Sequence, residues 1–397
     1  MSEQNIASRI DRLTRSGIRA VMHLAAERER LGHRVLHLEV GQPDFATPAY
    51  ILDAVAKAMQ NGLAGYTPNA GIPSLREAVA ERVTTRSGRP VSPDCVCITT
   101  GAVMGLMLAL MSVVEQGDEV LVPDPGWPNY RSAVTLAGGT VVPFSLDADR
   151  NFAPDLAQLE ALVTPRTRAL MINSPGNPTG GVMSAEQVRA LVEFTERHGI
   201  YLVSDEVYED FVFGGSTHTT AFRPRTDRVI LISGTSKSYS MTGWRIGWLV
   251  ANPKIAAAAA ALVEPLTSCP PTISQIAAEA ALRGQQDSVQ TMRQAYARRA
   301  ELAVRLLAPS GRLLGRPKGA FYAMIKVGQP GMDTDAFVRQ LLAEQSVAVA
   351  PGSTFGDNVS HAVRISLASS EDVIHAGIGR ILQFCEGRQA GSTGALT

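Results

Sequence analysis

The sequence predicts an α/β fold in which a large domain is built on a mostly parallel sheet and a smaller α+β domain accompanies it. Between about Tyr50 and Ser288, short apolar or β-branched runs alternate with longer helical stretches, the rhythm of βα units. From Thr291 the order changes to one long helical stretch followed by short strands around a second helix, which marks a different unit. At 397 residues the chain has room for two or three domains and a sizeable core.

Taken in order, "IRAVMHLAAERERLG" reads as a helix and "VLHLEV" as a strand, and both precede the α/β region. The strands of that region are "CVCITT", "DEVLVP", "TVVPFS", "RALMIN", "IYLVSDE" and "RVILISG", each bounded by Gly, Pro, Asn or Asp. Helices between them include "PSLREAVAERVTTR", "GLMLALMSVV" and "SAEQVRALVEFTERHG". The second unit reads as helix "TMRQAYARRAELAVRLL", strand "GAFYAMIKV", helix "TDAFVRQLLAEQ" and strands "VAVAPG" and "AVRISLA". The resulting division is an N-terminal arm and part of the small domain over 1–45, a large domain over 46–289, a small domain over 290–388 and a flexible tail over 389–397.

Equal numbers of basic and acidic residues, 37 of each, supply no field that draws in nucleic acid or an anionic membrane. Small-molecule substrates are therefore expected. Four cysteines at irregular spacing do not make a disulfide framework, and "CVCITT" alternates like a strand rather than presenting metal ligands. The expected setting is reducing and cytoplasmic. The start of the chain has no apolar h-region, and "ANPKIAAAAAALVEPL" is interrupted by Pro253, Lys254 and Pro265, so neither a secretory signal nor a membrane span is expected. The histidines show no ligand spacing and no metal is assigned; His218 reads as a surface-loop residue.

In an open parallel sheet, ligands bind beyond the carboxyl ends of the strands, so the residues that follow the strands carry the functional information. The turn after "CVCITT" enters a helix at Gly101, Ala102 and Val103, whose N–H groups can hold a phosphate; a purely steric glycine is the alternative. Trp127, in the proline-bounded "DPGWPNY", can stack on a planar ligand or simply plug the core. Asn177 in "SPGNPTGG" can donate to a ligand oxygen or close an Asx turn. Asp205 closes a hydrophobic strand, where a carboxylate needs a cation, either a protonated ring nitrogen or a structural partner. Lys237 in "TSKSYS", among small residues at a strand end, suits Schiff-base chemistry unless it is a solvated surface lysine. Phosphate donors, a flat ring, an oxygen ligand, a carboxylate and an amine on successive strand ends are together what pyridoxal 5′-phosphate uses.

Ten motifs, among them "VGQPDFATP", "YTPNAGIPSLREAV", "TTGAVMGL", "PDPGWPNY", "NSPGNPTGG", "SDEVYEDF", "SKSYSMTGWRIGW" and "PGSTFG", occur in an order that resembles the class I/II aminotransferases of the fold type I pyridoxal-phosphate superfamily over nearly the whole chain. The look is that of the bacterial aspartate and aromatic subgroup. The resemblance implies a seven-stranded, mostly parallel sheet in the large domain. It implies that Lys237 forms the Schiff base with the cofactor and shuttles the α-proton, and that Asp205 keeps the pyridine nitrogen protonated. Tyr208 and Asn177 are implied to bond the phenolic oxygen, and Trp127 to stack on the ring. Arg245, Ser236 and the N–H groups of Gly101 to Val103 are implied to bind the phosphate. Tyr66 matches a tyrosine lent to the phosphate of the neighbouring subunit, which implies a homodimer with shared active sites. Arg364 matches the clamp on the substrate α-carboxylate, with Gly41 and Asn177 close by.

Two departures shape the substrate expectation. Gly234 stands where some relatives place a phosphate-binding serine, leaving Ser236 or Thr235 to provide that hydroxyl. "GAVMG" stands where the aspartate-specific relatives read "GGKQA", and Ile18 replaces their threonine, so a neutral, hydrophobic or aromatic amino acid is expected as donor, with 2-oxoglutarate as acceptor. Arg19 or Arg131 is the remaining source of a charge for a distal carboxylate. Alternatives on the same fold are a carbon–sulfur β-lyase, or a non-catalytic ligand-sensing domain, which the lack of a basic N-terminal DNA-binding segment disfavours.

Overall fold

The computed structural model describes residues 6–13, 16–63, 65–223 and 226–393, with side chains described to 388. The helices are α1 (Gly17–Arg30), α2 (Ala49–Gln60), α3 (Pro73–Ser87), α4 (Gly101–Val113), α5 (Pro128–Leu136), α6 (Leu156–Leu162), α7 (Ala185–His198), α8 (Pro253–Thr267), α9 (Thr272–Arg283), α10 (Asp287–Leu307), α11 (Thr334–Gln345) and α12 (Glu371–Thr393). Of the tail placed at 389–397, residues 394–397 lie outside the described residues.

Seven strands make the large sheet: β2 (Val96–Thr99), β3 (Glu119–Asp124), β4 (Thr140–Ser145), β5 (Thr167–Asn173), β6 (Tyr201–Asp205), β7 (Val229–Gly234) and β8 (Gly247–Val250), numbered after the short β1 (Leu36–His37). Their order across the sheet is β2-β8-β7-β6-β5-β3-β4, and only β8 runs antiparallel to its neighbours. This is the mostly parallel seven-stranded sheet that the motifs imply. Every residue of β3 and β7 is buried, as expected for strands covered by helices on both faces, and each carries an unbroken apolar stretch, residues 120–123 and 229–232. Helix α7 shows how locally the boundaries are encoded: Ser184 and Gln187 close a capping box, and Gly199 ends the helix at φ 67°.

The last strands are β9 (Leu313–Leu314), β10 (Tyr322–Lys326), β11 (Val347–Ala348), β12 (Ala350–Pro351) and β13 (Ala362–Ser366). Order β12-β13-β10-β9 forms a second, antiparallel sheet, while β1 pairs in parallel with β11. "VAVAPG" is therefore split between two sheets. A core of its own, with Tyr296, Phe321, Phe337, Leu341, Ile365 and Ile378 inside, joins these strands to α10, α11 and α12 and to Val21 and Ala25 of α1.

The topology brings the informative residues to one edge. Asp124, Asn173, Asp205 and Gly234 are the final residues of β3, β5, β6 and β7, and Asn173 is in register with Asp205. β13, from the second sheet, carries Arg364.

Candidate active site

Asp205 is buried where β6 ends. Its Oδ2 accepts a hydrogen bond from the Tyr130 hydroxyl at 2.7 Å, and its Oδ1 accepts from the Val207 N–H at 3.2 Å. Burial raises its carboxyl to about 6 despite these donors, with the Glu206 carboxylate adding to the rise and Lys237 opposing it. Such a group prefers either a proton or a cationic N–H beside it. Tyr130 is missed by motif reading; it sits in the first turn of α5, three residues after Trp127, and the two rings meet edge to face at 5.6 Å. Only the tertiary packing of α5 on the sheet turns its hydroxyl to Asp205.

Lys237 follows β7 in a turn and is partly buried, with Nζ donating to the Gly41 carbonyl at 2.7 Å. Burial lowers its ammonium to about 8, assisted by the positive charges of Arg364 and Arg245, while Asp205 pulls the other way. The lysine is thus a nucleophile or base within reach of neutral pH rather than a solvated surface cation. Tyr208 and Phe321 present their rings about as far as a weak cation–π contact allows, at 5.8 and 5.9 Å.

Arg364 is among the largest fully buried side chains. Nη1 donates to Asn177 Oδ1 at 3.1 Å and Nη2 to the Glu39 carbonyl, while Nε has no partner among the described residues. Both partners are neutral acceptors, and among the described residues no carboxylate makes an ion pair with the guanidinium; burial lowers its affinity for its proton, with Tyr322, Tyr208 and Glu39 opposing. A buried arginine with a free donor is a receptor for an anion. Asn177 therefore uses its side chain across the structure instead of closing an Asx turn; the local turn is made by its N–H to Asn173 Oδ1 at 2.7 Å. Tyr208 and Tyr322 share a hydroxyl contact of 2.8 Å, and a Cβ at Gly41 would collide with the Tyr322 hydroxyl, so the glycine is required by close approach. Tyr322 and Glu39, like Tyr130, lie in motifs already noted, but their roles depend on pairings across the two sheets.

At the other end, Gly101 opens α4 with φ 78°, and a Cβ there would occupy the space of the Arg245 guanidinium. Arg245 is exposed, bonds the Thr242 carbonyl at 2.8 Å and leaves its other nitrogens against the start of the helix. A permanent cation at a helix N-terminus makes an anion cradle. Ala102 and Val103 continue that turn, with Val103 exposed. Ser236 is partly buried nearby in chain order, while Thr235 Oγ1 is buried and unpartnered among the described residues.

Gly234 has its own steric reason. A Cβ there would lie 2.9 Å from Gly247 Cα and 3.0 Å from the Ile246 carbonyl of the adjacent antiparallel strand. Gly234→Ser is expected to lower stability by about 1–3 kcal/mol, since the side chain meets backbone that cannot rotate away; a thermal unfolding midpoint equal to wild type would refute this. Trp127 is partly buried, and Ile18 packs at the border of the large-sheet core. Tyr66 is 93 % exposed, so within one chain it contributes nothing to the cluster.

The residues present fit pyridoxal phosphate on three grounds: the glycine cradle under Arg245, the Nε of Arg364 that has no partner among the described residues, and an amine of lowered basicity whose charge is felt by a buried carboxyl group. His218 differs from its sequence reading. It is largely buried, with Nε2 3.0 Å from Glu206 Oε2, and ligand atoms of Glu206, Glu209 and His218 lie within 4.8 Å of one another. Glu206 also accepts from Ser204, Thr220 and the Ala221 N–H, and Glu209 pairs with Arg82 and Arg86, so the cluster is an ion-pair network supporting the segment after β6.

Comparison with known proteins places this geometry. The family model for aminotransferase class I and II matches residues 33–381. The aspartate aminotransferase of Geobacillus stearothermophilus is 39% identical over 96% of this chain and 99% of its own length. Aromatic-amino-acid aminotransferase 2 of Thermococcus litoralis is 34% identical over 95% of this chain and 97% of its own. A single mutant of Thermus thermophilus aspartate aminotransferase superposes with a TM-score of 0.91 at 35% identity, covering 96% of this chain and 100% of that one. Sequence and fold agree, and the chain belongs to the class I and II aminotransferases, enzymes that transfer amino groups between amino acids and 2-oxo acids with pyridoxal phosphate.

Proposed function

We propose that this aminotransferase moves the α-amino group of a neutral, hydrophobic or aromatic L-amino acid to a 2-oxo acid such as 2-oxoglutarate in two ping-pong halves. The observation that carries the reading is the convergence of a lysine amine just after β7, a buried carboxyl group at the end of β6 and a buried guanidinium in the middle of β13. Bound pyridoxal phosphate supplies the electron sink for the carbon that carries the amino group.

Lys237 would take the proton from the substrate α-carbon and give it up again, and its lowered basicity supports both directions of transfer. Asp205 holds the ring N–H, and that cation offsets the burial that otherwise raises the carboxyl group. Tyr208 and Asn177 bind the phenolic oxygen, and Trp127 covers the ring face. Arg245, Ser236 and the N–H groups of Gly101, Ala102 and Val103 hold the phosphate. Arg364 orients the α-carboxylate common to donor and acceptor, with Gly41 and Asn177 beside it, and its unpaired Nε supports this. Tyr66 reaches the phosphate of a second copy in a homodimer, a reading its exposure supports.

Val103 and Ile18 offer a substrate side chain apolar surface, and Arg131 is engaged by Asp124. A dicarboxylate donor is the second reading, favoured by the aspartate aminotransferases among the relatives and by Arg19, which is exposed on α1. The test is the absorbance of the cofactor between about 300 and 500 nm while L-phenylalanine, L-leucine or L-aspartate is added without oxo acid. The apolar donors are expected to convert it with at least about tenfold higher kcat/KM than aspartate, and 2-oxoglutarate to restore it. Faster conversion by aspartate establishes the second reading; pyruvate and ammonia from cysteine with no lasting conversion establish a β-lyase.

A further inference from the structure

Asp124, the last residue of β3, is nearly buried and lies against the segment between β12 and β13. Its Oδ1 accepts from the Asn358 N–H at 3.2 Å, and its Oδ2 accepts from the Asp357 N–H at 3.2 Å and from Arg131 Nη2 at 3.1 Å. Around this carboxylate the two strands of contact continue: the Gly126 N–H donates to the Phe355 carbonyl at 2.9 Å, and Asn358 Nδ2 donates to the Leu146 carbonyl at 2.6 Å. Gly356 has φ 143°, and a Cβ on it would collide with the Asp124 carboxylate. The segment is thus shaped around one anion, and its own backbone donors end there.

The segment carries Phe355, which is buried with its ring centroid 5.0 Å from Arg364 Cζ; Tyr322 lies at 4.4 Å from the same atom. Two rings therefore fix the plane of a guanidinium that has neutral hydrogen-bond partners and one free donor. Two and three residues after Phe355, the backbone is held by a carboxylate that belongs to the large sheet.

We propose that Asp124 is a positioning residue: by anchoring residues 355–358 it seats Phe355 against Arg364 and so sets the affinity of the enzyme for the substrate carboxylate. The proposal rests on the assignment of Arg364 to that carboxylate. Its contacts are with Arg131 and the N–H groups of Asp357 and Asn358, so it acts through Phe355. Its effect is expected in binding terms rather than in the chemical step, because displaced recognition geometry weakens ground state and transition state alike.

The test uses holoenzyme of wild type, Asp124→Ala, Asp124→Asn, Gly356→Ala and Arg364→Leu. Dissociation constants for 3-phenylpropanoate, a carboxylate without an amine, are read from the cofactor spectrum. Single-turnover reactions with L-phenylalanine and L-aspartate give the saturating rate and the half-saturating concentration. Asp124→Ala and Gly356→Ala are expected to weaken binding of all three probes about tenfold while changing the saturating rate by less than about threefold, with Asp124→Asn between them and wild type. Unchanged binding in both variants overturns the proposal, as does a fall in rate at unchanged affinity, which places the effect on the Tyr130 side of α5. If Asp124→Ala does not fold, Gly356→Ala decides; if neither folds, Asp124 is a structural anchor only and the proposal falls. Normal binding by Arg364→Leu instead removes the assignment of Arg364, an outcome distinct from the failure of Asp124 to influence it.

Discussion

Lys237→Ala is expected to lower kcat by at least about a thousandfold, because one change removes both the amine that joins the cofactor and the base that moves the α-proton. Borohydride treatment should leave no covalent cofactor on the variant, whereas in wild type the adduct should map to the peptide containing Lys237. An adduct elsewhere, or wild-type turnover by the variant, would remove the lysine from its assigned role. The lowered basicity adds a pH dependence. Only the neutral amine attacks a carbonyl, and Lys237 titrates at about 8 in place of the ordinary lysine value. The rate at which cofactor-free protein recaptures pyridoxal phosphate should therefore rise about tenfold per pH unit below 8 and level off above it. A rate still climbing toward the ordinary lysine range would show that burial does not shift the amine.

Asp205→Asn should have the next largest effect, lowering kcat by about a hundredfold to a thousandfold. The amide keeps the size of the carboxyl group and can still meet the Tyr130 hydroxyl, yet it carries no charge to hold a proton on the ring nitrogen. Burial raises the wild-type carboxyl group to about 6 even though the Lys237 charge opposes the rise. Cofactor binding should therefore release a proton where the group was protonated, and hold it ionised below its unliganded titration point. In the variant this linkage disappears. Calorimetric titration of cofactor-free protein in two buffers of different ionisation enthalpy, at pH 6, reads the proton count; equal counts for wild type and Asp205→Asn would contradict the role given to the carboxylate.

Much of the architecture was legible because its signals are local. The apolar stretches inside β3, β5, β6 and β7 mark strands whose middles are covered on both faces, and Ser184 and Gly199 bound α7 by capping chemistry. β8 was not among the strands read from the sequence. It is four residues long, starts with glycine and runs antiparallel between β2 and β7, so its identity comes from the neighbours that pair with it. The division of "VAVAPG" between β11 and β12 is likewise set by partners far along the chain.

The site divides in the same way. Lys237, Asp205 and Asn177 stand out in the chain because they follow candidate strands, whereas Arg245 and Arg364 come only from a motif order that resembles one family. That order determined the reaction class, the cofactor and the strand ends where the chemistry sits. Tyr130 on Asp205, the Glu39 carbonyl and Tyr322 on Arg364, the buried pairing of His218 with Glu206, and the grip of Asp124 on residues 357 and 358 were decided by tertiary structure alone. The physical reason is range: capping, periodicity and turn chemistry act within a few residues, whereas hydrogen bonds and charge interactions are set by distances that exist only after the two sheets have packed together.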